Sequence, residues 1–220
     1  MVTLQLKQIR VLPGQRVILE DISWQEFEAI LDELGEHRNS RVAYSQGTLE
    51  IMVPLPEHEK PKVIIGDLVK ILLDELDMYW ESLGSTTFKR EDMTAGIEPD
   101  DCFYIQNYRL MIGRERIDLS VDPPPDLAIE IDVKSKTQVS AYQALKVPEI
   151  WRYIKGKLEI SLLQEDKYVT SQASLVFPNF RVIEEISRFV EMARTTGTTL
   201  ALRAFRKFVR EYITNKETLQ

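Results

Sequence analysis

Hydrophobic and polar residues change period several times along this chain, and each change marks an element. Arg16-Val17-Ile18-Leu19-Glu20 has the pattern of a short strand. Ser23-Trp24-Gln25-Glu26 is a capping box, whose serine and glutamate can satisfy free amides at a helix start. From Trp24 the apolar residues Phe27, Ile30, Leu31 and Leu34 recur at helical spacing, and Gly35 ends the run. Arg41 to Val53 is expected to be a hairpin turning at Gln46-Gly47. Pro54, Pro56 and Pro61 break the next stretch, and a helix is predicted from Pro61 to Asp77. Ile64, Ile65, Leu68, Ile71, Leu72 and Leu76 form its buried face.

Shorter extended pieces follow at Met78–Glu81, Thr86–Lys89 and Asp101–Ile105, with a polar loop from Asn107 to Asp118. Pro123-Pro124-Pro125 delivers the chain stiffly into a strand from Leu127 to Val133. A short helix is predicted over Thr137–Lys146. Ile150–Ile154 and Leu158–Leu163 flank Lys155-Gly156-Lys157, a hairpin signal, and Lys167–Val169 is a third strand. Two helices, divided near Thr196-Gly197-Thr198, fill Val182 to Ile213. The expected architecture is one α/β domain over residues 1–180, a mixed β-sheet flanked by helices, followed by a C-terminal helical extension over 181–220.

The Leu127–Val133 strand carries the chemistry. Leu127, Ile129, Ile131 and Val133 alternate with Ala128, Glu130, Asp132 and Lys134, so two carboxylates and an amine share one strand face. Acidic residues are depleted in strands, which favours a functional face over a merely wet one. With Asp100 from a neighbouring strand, the set suits a hard divalent cation, Mg²⁺ or Mn²⁺, which prefers oxygen ligands. Asp100 and Glu130 are the chosen ligands, with the Ile131 carbonyl as a third and Asp132 assisting the metal. Lys134 is the amine that orients water or stabilises the transition state of phosphodiester hydrolysis.

Composition changes this picture in one respect. Hydrophobic residues make up 44% and charged residues 29%, as in an ordinary globular protein. No stretch approaches a membrane span, the N-terminus lacks a signal pattern, and Cys102 is the lone cysteine, so a cytoplasmic location and an inert thiol are expected. The net charge of −7 runs against strong nonspecific binding of nucleic acid.

Glu98-Pro99-Asp100 followed by Glu130-Ile131-Asp132 resembles the two halves of a PD-(D/E)xK nuclease motif. Pro125-Asp126-Leu127 leading to Glu130, then Ser135-Lys136-Thr137, then Tyr142 to Val147-Pro148-Glu149-Ile150-Trp151, are similar in order and spacing to a bacterial family of restriction-endonuclease-like proteins. The Gly47 hairpin and His58 at the start of a long helix also fit, so the match spans roughly residues 20–163. The resemblance implies a restriction-endonuclease-like core, Mg²⁺-dependent endonuclease activity and DNA as substrate. Asp132 stands where the motif has lysine, so Lys134 or Lys136 must take that role. A nuclease-fold binding or regulatory module that has lost its catalysis is the alternative.

Further candidates are weighed against duller roles. Glu57, His58 and Glu59 form a helix start that could add a ligand. Asp126 is either a neighbour of the site or a turn residue, and Lys89 and Arg90 either meet phosphate or are solvated. Arg203, Arg206, Lys207 and Arg210 form a stripe on the last helix, read as a solvated face. A homodimer is expected, because cutting both strands needs two sites.

Overall fold

In the computed structural model, residues 5–35, 38–114, 116–132 and 135–217 are described. The first strand, β1 (Arg16–Leu19), precedes helix α1 (Trp24–Leu34). The Ser23 side chain accepts the Glu26 amide and Glu26 returns the bond to Ser23, so the capping box forms as expected. The hairpin β2 (Arg41–Ser45) and β3 (Thr48–Met52) turns through Gln46 and Gly47 at φ of 47° and 85°, the pair of positive angles a two-residue turn needs.

Helix α2 (Pro56–Glu75) starts a turn and a half earlier than its hydrophobic pattern indicates, with Pro61 inside it. Pro56 at the first position costs nothing, because that amide has no partner in any helix. Pro61 does remove one internal bond, yet the helix continues, and His58, Glu59 and Lys62 are thereby carried on its N-terminal turns.

Next come β4 (Glu81–Ser82), β5 (Phe88–Arg90), β6 (Ala95–Ile97) and β7 (Asp101–Tyr104), then the single turn α3 (Tyr108–Met111). Strand β8 (Leu127–Ile131), helix α4 (Lys136–Leu145) and β9 (Glu149–Ile154) form a parallel crossover. Strand β10 (Lys157–Gln164), β11 (Lys167–Ser171) and helices α5 (Val182–Thr196) and α6 (Thr198–Glu217) complete the described chain.

The single sheet expected from the sequence is in fact two. One has the order β1-β3-β2-β6-β5 and the other β11-β10-β9-β8-β7-β4. The physical cause lies at Glu98-Pro99-Asp100, between β6 and β7. Proline has no amide to give a ladder, so one extended run is broken there and its two ends join different sheets. The fold is therefore mixed α/β, with two sheets flanked by helices.

The core divides accordingly. Helix α1 packs Trp24 and Phe27 on Tyr44 of the first sheet, Phe27 and Tyr44 stacking at 4.5 Å. Helix α2 packs Ile65, Leu68 and Leu72 with Leu127, Ile129 and Ile131 of β8. The same cluster takes in Ile186, Phe189, Ala201 and Phe205, so α5 and α6 cover the second sheet together with α2. The basic stripe of α6 is partly consumed there, since Arg206 and Arg210 both bind Glu75 at the end of α2. Among the described residues no helix is long and apolar enough to cross a membrane.

Candidate active site

Strands β7 and β8 pair antiparallel with Asp101 opposite Ile129 and Cys102 opposite Ala128. Continuing that register by one residue sets Asp100 opposite Glu130. Side chains directly opposite in an antiparallel pair share a face, with Cβ atoms about 4.5–5.5 Å apart. The two carboxylates that the sequence singles out therefore converge where the chain passes from one sheet to the other.

Both are almost inaccessible: Asp100 is 7% exposed and Glu130 2%. Each is held by a bond from the opposite element. The Ile131 amide donates to Asp100 Oδ2 at 2.8 Å. The Tyr142 hydroxyl of α4 donates to Glu130 Oε1. Burial is the largest influence on both, and it pushes each carboxyl above the ordinary carboxylate range. The negative charge of Asp100 raises Glu130 further. Like charges that close and that dry call for a counter-ion.

Two cationic side chains, Arg41 and Lys62, act on the pair. Arg41 at the start of β2 lowers the pKa of both carboxyls through its charge, and its Nε is buried without a hydrogen-bond partner. Lys62 of α2 acts on Asp100 and Asp101 in the same sense. Its placement follows from helix spacing. Gly66, one turn further along α2, lies so close to β7 that an added Cβ would stand 2.6 Å from Asp101 Oδ2. His58, one turn before Lys62, meets Asp132 with Nε2 3.2 Å from Oδ2. One stripe of α2 thus lies along the whole site. Neither Arg41 nor Lys62 is marked by any local pattern; only the packing of α2 and the first sheet reveals them.

Asp132 departs from the alternation expected of it. Strand β8 ends at Ile131, and Asp132 takes a left-handed φ of 55° with its side chain exposed. Its amide bonds the Tyr153 carbonyl, and its carboxylate accepts the Lys155 amide besides facing His58. Lys134 lies outside the described residues. Lys136 is exposed as the first residue of α4, and Ser135 before it caps the helix and also donates to Glu50.

The remaining candidates have structural occupations. Glu98 accepts Arg38, Thr87 and the Val42 amide. Asp126 gathers the amides of Ile105, Gln106 and Asn107, pinning the turn after β7. Glu59 pairs with Lys62 at 3.4 Å, Glu57 is exposed, and Lys89 and Arg90 bind Glu28 and Asp92. Cys102 is fully buried and its thiol is pushed up to about 12, which leaves it inert.

On the α4 side of Glu130 lies a cavity of about 160 Å³, lined also by Gln138, Tyr142 and Arg152. Gln138 Oε1 and Arg152 Nε are buried there without hydrogen-bond partners, so the space is polar and large enough for several waters. Among the described residues, no three His, Cys, Asp or Glu side chains gather to hold a metal ion. A pair of buried carboxylates with a nearby carbonyl still suits Mg²⁺, which keeps several of its waters and uses one or two carboxylates.

A family model, Uma2, described as "Putative restriction endonuclease", matches residues 24–190. A solved structure from Anabaena variabilis, described as a putative nuclease belonging to DUF820, is similar in fold. The alignment covers 77% of this chain and 99% of that one, with a TM-score of 0.50 and 18% identity. No curated protein matches.

Proposed function

The chain belongs to the Uma2 family, and from that premise we propose that it is a metal-dependent endonuclease hydrolysing DNA phosphodiester bonds at Asp100 and Glu130. The observation that carries this reading is the buried carboxylate pair, fixed by Ile131 and Tyr142 and raised by burial, with the charge of Asp100 adding to the effect on Glu130. Such an arrangement is electrostatically costly in the absence of a cation and rigid enough to hold one.

Asp100, Glu130 and the Ile131 carbonyl would hold Mg²⁺ or Mn²⁺. When bound, the ion would lower the pKa of a water and neutralise charge building on the phosphate. The protein's own groups do the rest. Tyr142 fixes the rotamer of Glu130, and the Ile131 amide fixes Asp100. Lys62 brings its ammonium to the Asp100 side, where it would orient the attacking water or take up developing negative charge. It thereby supplies what the motif lysine supplies elsewhere, with Lys134 the competing source of that amine. Asp132 contributes indirectly, by tying the end of β8 to His58. Two such sites in a homodimer, acting in the cytoplasm, would cut both strands of a duplex.

One observation favours the second reading, a binding module without catalysis. The motif position that should carry lysine is Asp132, which has left the strand. The two readings separate in a plasmid assay with Mg²⁺, Mn²⁺ or EDTA. Metal-dependent nicking that falls at least 100-fold in Glu130→Gln and Asp100→Asn, and at least 10-fold in Lys62→Met, is expected. Nicking that survives in both carboxylate variants would remove the assignment. No nicking by the native protein would favour the binding module.

A further inference from the structure

A groove of about 690 Å³ opens beside the first sheet. Four cations line it, Arg38, Arg41, Lys89 and Arg116, against two carboxylates, Asp32 and Glu98. That balance is opposite in sign to the chain's net charge of −7. The groove wall also connects covalently to the carboxylate pair. Glu98, which lines it, stands two residues before Asp100, and Ser85 on the same wall donates to the Pro99 carbonyl at 2.9 Å.

Arg41 belongs to both places. It lines the groove, and its charge reaches Asp100 and Glu130. Arg38 and Lys89 are occupied by Glu98 and Glu28. Arg41, in contrast, makes no hydrogen bond or ion pair with any described residue, and its Nε is buried. A buried guanidinium Nε without a partner is expensive, and the ligand the planar fork fits best is a carboxylate or a phosphate. The site's own carboxylates act on it only at a distance, so the place beside it suits an incoming anion.

We infer that this groove seats the sugar–phosphate backbone of the substrate strand, with Arg41 gripping the phosphodiester next to the Asp100–Glu130 pair. The inference rests on the nuclease reading for the identity of its ligand. The groove then gives an acidic protein a local basic track, so that affinity comes from a few placed contacts and not from overall charge. Hydroxyls of Ser40 and Thr86 on the same lining add neutral donors of the kind that fix the register of a backbone.

The test is fluorescence anisotropy with a labelled duplex DNA in EDTA, which reads binding without cleavage. Arg41→Gln is expected to weaken binding about tenfold or more and to reduce the dependence of log Kd on log salt by about one phosphate contact. Lys89→Gln, at a half-exposed side chain whose loss leaves folding intact, is expected to weaken it about threefold. Lys157→Gln, at the exposed first residue of β10, serves as a control and should bind like the native protein. If Arg41 is only a counter-ion of the carboxylates, Arg41→Gln and Lys89→Gln will bind DNA as the native protein does, and the inference is overturned. Equal weakening in the Lys157 control would overturn it too. Groove-dependent binding by a protein that never cuts DNA would uphold the groove and remove the nuclease reading. Cutting and binding that ignore both groove variants would do the reverse.

Discussion

Two carboxyl groups at 7% and 2% exposure, facing each other across a strand pair, are a burden that the rest of the fold must offset. Burial raises the pKa of Glu130, which means that folding penalises its ionised form. The penalty is absent below the unfolded pKa, where the group is protonated in both states, and is complete once pH exceeds the raised folded value. Glu130→Gln keeps an oxygen for the Tyr142 hydroxyl and removes the charge. The variant is therefore expected to be more stable than the native protein by on the order of 1 kcal/mol at pH 8, with the gain shrinking in acid. Urea unfolding at several pH values checks this. A variant less stable at pH 8 would mean that Glu130 is a structural residue, satisfied where it stands. Alternation in the sequence was enough to separate Glu130 from the apolar face of Leu127, Ile129 and Ile131. It could not show that the strand stops at Ile131, because the left-handed turn at Asp132 depends on the Tyr153 and Lys155 backbone across the sheet.

At the scale of elements, α2 does the most to build the site. Gly66 lets it approach Asp101, and that approach brings Lys62 and His58 over Asp100 and Asp132. In an exposed helix Gly→Ala stabilises by about 1 kcal/mol. Here the new Cβ would meet a buried carboxylate at 2.6 Å, one that already serves Ser82 and the Cys102 amide. Gly66→Ala is thus expected to destabilise by about 1–3 kcal/mol, measured by thermal unfolding, and to reduce nicking as Lys62 moves away. A stabilised variant would show that α2 has room to spare. Most elements were legible from periodicity and caps: α1 from its capping box, and β2–β3 and β9–β10 from glycine turns. The start of α2 was not, since proline at Pro61 ordinarily argues against helix, and packing on β8 overrides that preference. The contribution of Arg41 was equally hidden, because nothing in residues 41–53 signals contact with a strand some 60 positions on.

The whole molecule shows why one proline matters. Pro99 divides an extended run between two sheets, and the divide brings together residues from β2, α2, β7 and β8. A basic groove reaches Glu98, two residues before Asp100, and a polar cavity beside α4 reaches Glu130. Asp100 and Glu130 could be singled out as candidates in the sequence, but their register opposite each other exists only in the folded chain. The central claim is that these two carboxylates share one divalent ion. The most direct test is calorimetric titration of the folded protein with Mn²⁺, beside Asp100→Asn and Glu130→Gln of verified native circular dichroism. One ion per chain in the native protein, with binding weakened at least 10-fold in both variants, is the predicted result. Equal Mn²⁺ binding in all three proteins, or none in the native one, would contradict it.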